Sequence, residues 1–120
     1  MKRNAGNVQL LLTDRALADL AEIRTYTAAN FGKRQSEKYL DDLESALARI
    51  KEQPDLLRHE AQFSATLQFY RVNRHLVVCD RSELAIYVLT VIHGNRDIPS
   101  RLNELAPSLA DEVEILRGKL

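Results

Sequence analysis

Four arginines and one histidine in the second half of the chain carry side chains that could act on a phosphate group. They are Arg71, Arg74, Arg81, His93 and Arg96. Guanidinium groups bind phosphate oxygens, and an imidazole can take up or release a proton near neutral pH. On one shared surface, these side chains could hold a phosphodiester and move the protons that its cleavage requires. The alternative is that the arginines, together with Tyr70 and Tyr87, contact a macromolecular partner.

Each of these side chains also has a structural role that the sequence permits. Arg71 lies in a predicted strand, where it could pair with a carboxylate across the sheet. His93 ends an apolar run, where a histidine often supports the following turn through hydrogen bonds. Arg96 and Asp97 are neighbours in that turn and could pair with each other. The sequence leaves the structural and the functional roles open.

Neither the histidines nor the cysteine forms a recognisable metal-binding pattern. His59, His75 and His93 do not have zinc-ligand spacing with one another or with Cys79. The chain also has no glycine-rich phosphate loop, no G-x-S-x-G and no H-E-x-x-H motif. We therefore expect no metal and no cofactor. Cys79 is expected to be a small buried side chain, which suits a reducing compartment.

Composition and charge narrow the class of protein. The chain has 120 residues, 45% of them hydrophobic and 28% charged, as expected of one soluble globular domain. Lys plus Arg and Asp plus Glu each total 17, so no overall positive field attracts polyanions. No apolar run is long enough to span a membrane, and the first residues lead into no signal-like segment. We expect a cytoplasmic protein with no membrane contact.

Residues 67–93 form the stretch that could build the middle of a sheet. They contain three runs rich in Val, Ile, Tyr, Phe and Leu, separated at residues 73–74 and 80–83, which predicts a β-meander. The last run, residues 84–92, is apolar at nearly every position, as in a strand covered on both faces. Residues 8–12 predict a short first strand.

Two amphipathic helices are predicted between the first strand and the meander. In the first helix, the face expected to be buried is a stripe of residues three or four positions apart, which Leu17 and Tyr26 widen. The stripe consists of Ala16, Leu20, Ile23 and Thr27. Asp14 is its expected N-cap, and Gly32 its expected C-terminal cap. The stripe of the second, over residues 33–53, consists of Leu40, Leu43, Leu47 and Ile50, with Tyr39 and Ala46 alongside. Pro54 ends this pattern, so the two helices should form an antiparallel hairpin.

The remaining segments are a loop and a C-terminal helical region. Residues 55–66 show no sustained hydrophobic period, which predicts a loop from the second helix to the edge of the sheet. Residues 98–105 predict a short helical piece that Pro107 interrupts, and a capping-box spacing at Ser108 begins a third helix that ends near Gly118. We expect the stripe of this helix to pack on the protein's own body.

Together these elements predict an α+β fold. It comprises an N-terminal strand, a two-helix antiparallel hairpin packed on an antiparallel β-meander, and a C-terminal helix. We expect a single domain over residues 1–120, with a core at about 8–101 and a helical extension at 102–120.

Four spaced segments resemble the RelE/ParE superfamily of bacterial type II toxins, and more closely its ParE side. They are Ala-Asp-Leu-Ala-Glu-Ile-Arg-Thr-Tyr at 18–26, Tyr39 with its leucine spacing, Tyr-Arg-Val and His-Leu-Val-Val at 70–72 and 75–78, and Val-Ile-His-Gly-Asn-Arg-Asp at 91–97. The resemblance runs from residue 12 to about residue 101. It implies a toxin that a cognate antitoxin holds inactive, with a role in plasmid stabilisation.

The resemblance leaves the target open between two classes. ParE-like members poison DNA gyrase without catalysis, and RelE-like members cut messenger RNA on the ribosome. Charge neutrality favours gyrase, as does a C-terminus that lacks the aromatic residue or histidine that many relatives use. The target- or antitoxin-binding candidates are then Tyr70, Arg71, Arg74, Tyr87 and Arg96. The alternative, an endoribonuclease, would use Arg71, Arg81, His93 and Arg96, and a third hypothesis is a non-toxic antitoxin-binding relative.

Overall fold

A five-stranded sheet runs through the molecule, with helices on both of its faces. The computed structural model describes residues 8–120. In chain order the elements are β1 (Gln9–Leu12), α1 (Asp14–Phe31), α2 (Lys33–Glu52), a 3₁₀ turn (Pro54–Leu56), β2 (Arg58–His59), β3 (Gln68–Val72), β4 (His75–Arg81), β5 (Ala85–His93) and α3 (Ile98–Arg117). The α+β architecture predicted from the sequence is confirmed.

The sheet is mixed, with strand order β1-β5-β4-β3-β2. Strands β3, β4 and β5 form the predicted antiparallel meander. The first strand pairs with β5 in parallel, from Gln9↔Ala85 to Leu12↔Val88. Strand β5 is therefore internal, and each of its residues except His93 is buried, as its continuous apolar run predicted.

The hairpin of α1 and α2 covers one face of the sheet. Its buried apolar side chains from α2 are Leu40, Leu43, Ala46, Leu47 and Ile50. The predicted stripe of α1 is narrower than expected, because Leu17 and Tyr26 are 53% and 65% exposed. The chain turns between the helices at Gly32, whose φ of 94° lies in a region that only glycine adopts readily.

The third helix covers the opposite face of the sheet. Its buried residues are Ile98, Leu102, Leu105, Leu109 and Val113, which pack in one cluster with Phe69, Leu76, Tyr87, Leu89 and Ile92. The helix thus packs on the protein's own body, as expected. None of the helices in residues 8–120 has an apolar stretch that could cross a membrane.

The predicted break at Pro107 is wrong, because α3 continues through this residue. Pro107 is exposed, so its ring does not disturb the packed face, and only the hydrogen bond to the carbonyl of Asn103 is lost. The buried positions keep one helical phase on both sides of it, from Leu102 and Leu105 to Leu109. Burial of a continuous stripe therefore outweighs the local cost of the proline.

Two further local predictions differ from the structure. The N-cap of α1 is Thr13 and not Asp14: the Thr13 hydroxyl accepts a hydrogen bond from Ala16 N at 3.0 Å. The predicted loop over residues 55–66 contains a 3₁₀ turn and β2, whose Arg58 pairs with Phe69. A two-residue strand is too short to produce a period in the sequence.

Two polar side chains, from the N-cap of α1 and from α1 itself, form hydrogen bonds with the part of β5 that β1 does not pair with. The pairing with β1 stops at Val88. Beyond it, the Thr13 hydroxyl donates to the carbonyl of Leu89 at 2.7 Å, and Val91 N donates to Asp19 Oδ2 at 2.9 Å. The Thr90 hydroxyl donates to the same carboxylate oxygen. These contacts satisfy buried backbone groups that have no neighbouring strand.

We predict that Asp19→Ala destabilises the fold by about 2–4 kcal/mol, because it leaves the buried Val91 N–H and Thr90 hydroxyl without their acceptor. Arg15 binds Asp19 at 3.0 Å and the exposed Glu22 at 3.1 Å. The matched control is Glu22→Ala, which removes the exposed ion-pair partner of Arg15 and leaves the buried contacts of Asp19 in place. This control should change stability by less than about 0.5 kcal/mol. Urea denaturation measures both, and equal losses would contradict the role given to Asp19.

We predict that Pro107→Ala stabilises the protein by about 1–3 kcal/mol, because alanine restores an N–H to the middle of a continuous helix. The exposed Ser108→Ala serves as a neighbouring control with a small effect. Thermal unfolding measures the difference. If the chain instead broke at this residue, Pro107→Ala would leave the midpoint unchanged.

Candidate functional site

A cleft of about 720 Å³ lies between α1 and the strands β4 and β5, near the start of β4 and the end of β5. The α1 wall carries two aromatic side chains, Tyr26 and Phe31, which are each 65% exposed. The sheet contributes two histidines, and the turns beside it contribute two arginines. We call this surface the histidine cleft and define it by Tyr26, Phe31, Tyr39, Arg74, His75, His93 and Arg96.

The sheet register brings the two histidines together. His75 opens β4 and is the Cα partner of His93, which ends β5. Their rings meet edge to face, with centroids 5.0 Å apart. The turn before β4 positions His75 through Asn73, whose φ of 53° is a conformation that asparagine tolerates better than most residues.

Tyr39 of α2 fixes the ring of His75. The Tyr39 hydroxyl lies 2.6 Å from His75 Nδ1, and it accepts a hydrogen bond from Arg74 N at 3.2 Å. Because the phenol oxygen already accepts from this N–H, its own proton is available for donation to Nδ1. We therefore assign neutral His75 the tautomer with the proton on Nε2.

His93 has the same tautomer for a separate reason. Its Nδ1 accepts a hydrogen bond from Asn95 N at 3.2 Å, so Nδ1 carries no proton and Nε2 does. This contact confirms the predicted role of His93 in supporting the turn that follows β5. Both imidazoles thus have Nδ1 engaged within the protein and Nε2–H as the remaining polar group.

Burial favours the neutral form of His75. Desolvation lowers the pKa of His75 to about 4, and the neighbouring His93 acts in the same direction. Burial also raises the pKa of the Tyr39 hydroxyl. Tyr39 and His75 are therefore both uncharged at neutral pH, which preserves the hydrogen bond between them.

Three of the sequence-predicted site residues lie together in this cleft, namely Arg74, His93 and Arg96. The predicted pair of Arg96 with Asp97 is not formed. Asp97 caps α3 instead and accepts a hydrogen bond from Ser100 N at 3.2 Å. Within residues 8–120, neither Arg74 nor Arg96 has a carboxylate within 4.0 Å, so both guanidinium groups are available for a ligand.

Arg71 lies on the other face of the sheet. Its neighbours Tyr70 and Val72 pack towards the helical hairpin, and side chains alternate along a strand, so Arg71 points to the α3 side. The expected carboxylate partner across the sheet is absent from residues 8–120. A Cβ on Gly94 would lie 2.9 Å from Arg71 Nη1, so the glycine allows this guanidinium to approach the chain closely.

The remaining candidates, Arg81, Tyr87 and Tyr70, lie outside the histidine cleft. Arg81 donates to Asp55 at 2.9 Å and to the carbonyl of Pro54 at 3.2 Å, so it joins β4 to the 3₁₀ turn that follows α2. Tyr87 is 1% exposed beneath α3 and cannot present a binding surface there. Tyr70 is partly buried against the hairpin core and offers only part of its ring.

The sequence did not indicate Tyr26, Phe31 or His75 as site residues. The residue pattern places Tyr26 in the expected buried stripe of α1, and it gives Phe31 no role. In the sequence, His75 is a possible metal ligand and part of a family-like segment, and its pairing with His93 depends on the irregular register between Val78 and Cys79. A bulge of this kind leaves no signal in the residue pattern, so the partner of His75 could not be predicted.

Residues 10–98 match the model of the family described as ParE toxin of type II toxin-antitoxin system, parDE. The chain belongs to the ParE toxin family. Among curated relatives, Toxin ParE of Escherichia coli is 29% identical over 93 residues, which cover 77% of this chain and 90% of that protein. The protein is therefore a ParE-type toxin of a type II toxin-antitoxin system.

The fold of this ParE toxin is also found in a solved structure described as the chromosomal ParDE TA system from P. aeruginosa. The TM-score is 0.65 over 73% of this chain and 97% of that one. The identity of 13% means that this similarity supports the fold alone. The family match ends at residue 98, the first residue of α3, so nearly all of α3 lies beyond the matched region.

We predict that His75 makes the stability of this ParE toxin depend on pH. Its pKa is about 4 in the folded chain and about 6.5 when unfolded, so the unfolded chain binds more protons between these values. Stability is full above about pH 6.5 and is lost as the pH falls towards 4. With allowance for partial exposure of the ring, the loss is about 1–2 kcal/mol.

The measurement compares His75→Gln with His59→Gln, which changes an exposed histidine on β2. Denaturant unfolding at pH 7 and pH 5 should show a smaller pH effect in His75→Gln than in the wild type. His59→Gln should retain the wild-type effect. Equal pH effects in both variants would show that His75 is not the group responsible.

Proposed function

We propose that this ParE toxin stops growth by binding DNA gyrase, that it catalyses no reaction itself, and that a cognate antitoxin neutralises it in the cytoplasm. The toxin-antitoxin family implies an antitoxin as partner. Plasmid stabilisation would follow from this pairing. The gyrase assignment is supported by the way in which the structure distributes the residues that RNA cleavage would need.

The separation of these residues is the observation that carries the proposal. Cleavage requires a proton acceptor, a proton donor and cations around one phosphate. Arg71 lies on the α3 side of the sheet, and Arg81 pairs with Asp55 next to the end of α2. His93 and Arg96 lie in the histidine cleft. The four candidate catalytic residues therefore do not surround one position.

The histidines of the cleft are also poorly prepared for proton transfer. Each has Nδ1 engaged by a group of the protein, and Nε2 already carries the proton in the neutral ring. His75, with a pKa of about 4, would be a weak base at neutral pH. This arrangement supports binding more than catalysis.

Charge supports the same conclusion. The chain carries 17 basic and 17 acidic residues, so it lacks the excess that holds small proteins on ribosomal RNA at cellular salt concentrations. Contact with a protein target needs no such excess. A protein-protein interaction with gyrase is thus favoured over entry into the ribosome.

One observation favours messenger RNA cleavage as the second candidate function. Arg74, His93 and Arg96 do share the histidine cleft, where they could surround a phosphate. A change of tautomer at His93 would be needed before its Nε2 could accept a proton. A relative that binds the antitoxin without toxicity is the remaining alternative.

Expression of the toxin without its antitoxin tests these functions one after another. Under the proposal, growth stops, gyrase-DNA cleavage complexes accumulate, messenger RNA remains intact, and co-expression of the antitoxin restores growth. Cut messages with undamaged DNA would show the endoribonuclease instead. Unchanged growth, with soluble folded protein in the cells, would identify a non-toxic relative.

We predict that Arg71→Ala weakens growth arrest with little loss of folding. Arg71 is exposed, and it forms no ion pair within residues 8–120, so its removal should cost less than about 0.5 kcal/mol. Arg58→Ala, which removes an exposed arginine from β2, is the matched control and should remain toxic. Viable counts after induction measure toxicity, and thermal unfolding measures stability. An unfolded Arg71→Ala protein would assign Arg71 a structural role.

A further inference from the structure

Another cleft, of about 650 Å³, lies under α3, on the face of the sheet away from the helical hairpin. We call it the α3 pocket and define it by Phe63, Leu67, Asp80, Ala106, Leu109 and Val113. Most of these side chains are apolar, and the volume lies within the range of sites that hold one small molecule. The family match ends at residue 98, so the α3 wall of this pocket lies beyond the matched region.

Small side chains on α3 leave this space open. Ala106 and Ala110 line the pocket and are exposed, while the buried stripe of the same helix packs on the sheet beside them. On the opposite wall, Phe63 packs edge to face on Phe69 of β3, with ring centroids 5.4 Å apart. This contact holds the loop before β3 against the sheet. Both walls are therefore preformed, and they present aromatic and aliphatic surface to a ligand.

One carboxylate lies in this apolar pocket without an ionic partner. Asp80 is the Cα partner of Tyr87, which belongs to the buried cluster beneath α3. Residues directly opposite each other in neighbouring strands project from the same face, so Asp80 also faces α3. The residue is half-buried, and no basic side chain of residues 8–120 lies within 4.0 Å of its carboxylate. A charge that is partly removed from water is costly unless it is paired, so a cationic ligand would stabilise it.

The other charged side chains of the pocket neutralise each other. Arg117 donates to Glu114 at 2.9 Å, and its guanidinium carbon lies 6.0 Å from the centre of the Tyr87 ring. Arg117 is thus already held by an anion and an aromatic face. In the part of the chain that the structure describes, Asp80 therefore gives the lining one excess negative charge. This charge selects for a cation and against an anion.

We propose that the α3 pocket binds a small organic amine that has one protonated nitrogen and an aromatic or aliphatic body. The ammonium group donates hydrogen bonds to the carboxylate of Asp80. The body lies between α3 and the loop before β3, where it packs on Phe63, Leu109 and Val113. This site lies on the opposite face of the sheet from the helical hairpin, so the inference stands apart from the choice of gyrase as target.

The shape of the pocket favours a free amine over a lysine side chain of another protein. A lysine presents its ammonium group on an unbranched stem of four carbons. Such a stem would leave most of a cleft of about 650 Å³ unfilled. An amine with a broad apolar body removes more apolar surface from water and pairs with Asp80 as well.

Backbone amide NMR of the purified full chain tests the site with four probes. They are phenethylamine and hexylamine, each compared with the neutral alcohol of the same skeleton, phenethyl alcohol and hexanol. We expect the amines to shift the signals of pocket residues, with Leu67, Asp80 and Ala110 among them. The amines should bind about tenfold more tightly than the alcohols, because only they form a charged hydrogen bond with Asp80.

A first pair of variants tests the charge. Asp80→Asn should weaken amine binding by about tenfold and leave the affinity for phenethyl alcohol nearly unchanged. Asp111→Asn removes an exposed carboxylate of α3 that lies outside the pocket, so it should change neither affinity. Thermal unfolding of both variants checks that the fold is kept.

A second pair of variants tests the cavity. Ala106→Leu fills the pocket from an exposed position of α3, so it should weaken the binding of amines and alcohols alike. Ser108→Leu adds a side chain of the same size at an exposed position outside the pocket and should leave both affinities unchanged. Because neither position is in the buried stripe of α3, both variants should fold.

Several results would overturn the proposal. One is amine binding that is no tighter than alcohol binding, and another is amine binding that persists unchanged in Asp80→Asn or in Ala106→Leu. A third is a short peptide with one lysine that binds as tightly as phenethylamine and depends on Asp80, which would assign the pocket to a protein partner. Since purified protein is used, none of these results depends on whether the chain poisons gyrase.

Discussion

The buried carboxylate of Asp19 is the contact on which the arrangement of helices and sheet depends. Strand β5 is central, yet β1 accompanies it only as far as Val88, and the polar groups beyond would be left without partners in an apolar environment. Asp19 and Thr13 supply those partners from α1. Because an unsatisfied buried backbone group is costly, these contacts fix α1 against the sheet in one position. The wall of the histidine cleft is a consequence of that position.

The same constraint explains why the cleft resembles a binding surface. With α1 held by β5 and α2 held through Tyr39, the rings of His75 and His93 are fixed by hydrogen bonds at Nδ1. Fixed donors recognise a ligand at low entropic cost. Burial keeps His75 neutral, which suits a hydrogen-bond donor and does not suit a base at neutral pH. The internal hydrogen bonds therefore use the Nδ1 side of both imidazole rings.

Helix α3 determines which surfaces of this ParE toxin remain accessible. It buries the second face of the sheet, including Tyr87, and Glu112 of α3 accepts a hydrogen bond from Arg15 N at 3.3 Å, at the start of α1. Helix α3 therefore contacts both the sheet and the hairpin. The carboxylate of Glu112 is also stabilising in this position, because the N-terminus of a helix carries partial positive charge. Because the family match ends where α3 begins, this covering of the sheet is largely a property of the segment beyond the matched region.

Local pattern in the sequence determined the elements and their types. The apolar runs predicted the meander, and the helical stripes predicted the hairpin, because burial imposes periods of two and of about 3.6 on the residues that face a core. The same logic fails at Pro107, because a local helix breaker does not show which face the helix buries. It also placed Tyr26 in the core, since a stripe in the sequence does not show how wide the covered surface is.

The site was decided by tertiary structure. The sequence named Arg74, His93 and Arg96, but it could not show that they share a cleft, or that Arg71 lies on the other side of the sheet. The first relation depends on the bulged register that pairs His75 with His93, which lie far apart in the chain. The second depends on the pairing of Arg71 with Leu76, whose side chain packs in the α3-side cluster. A sequence records such pairings only through the preference of each residue for burial, and that preference is the same for many possible partners.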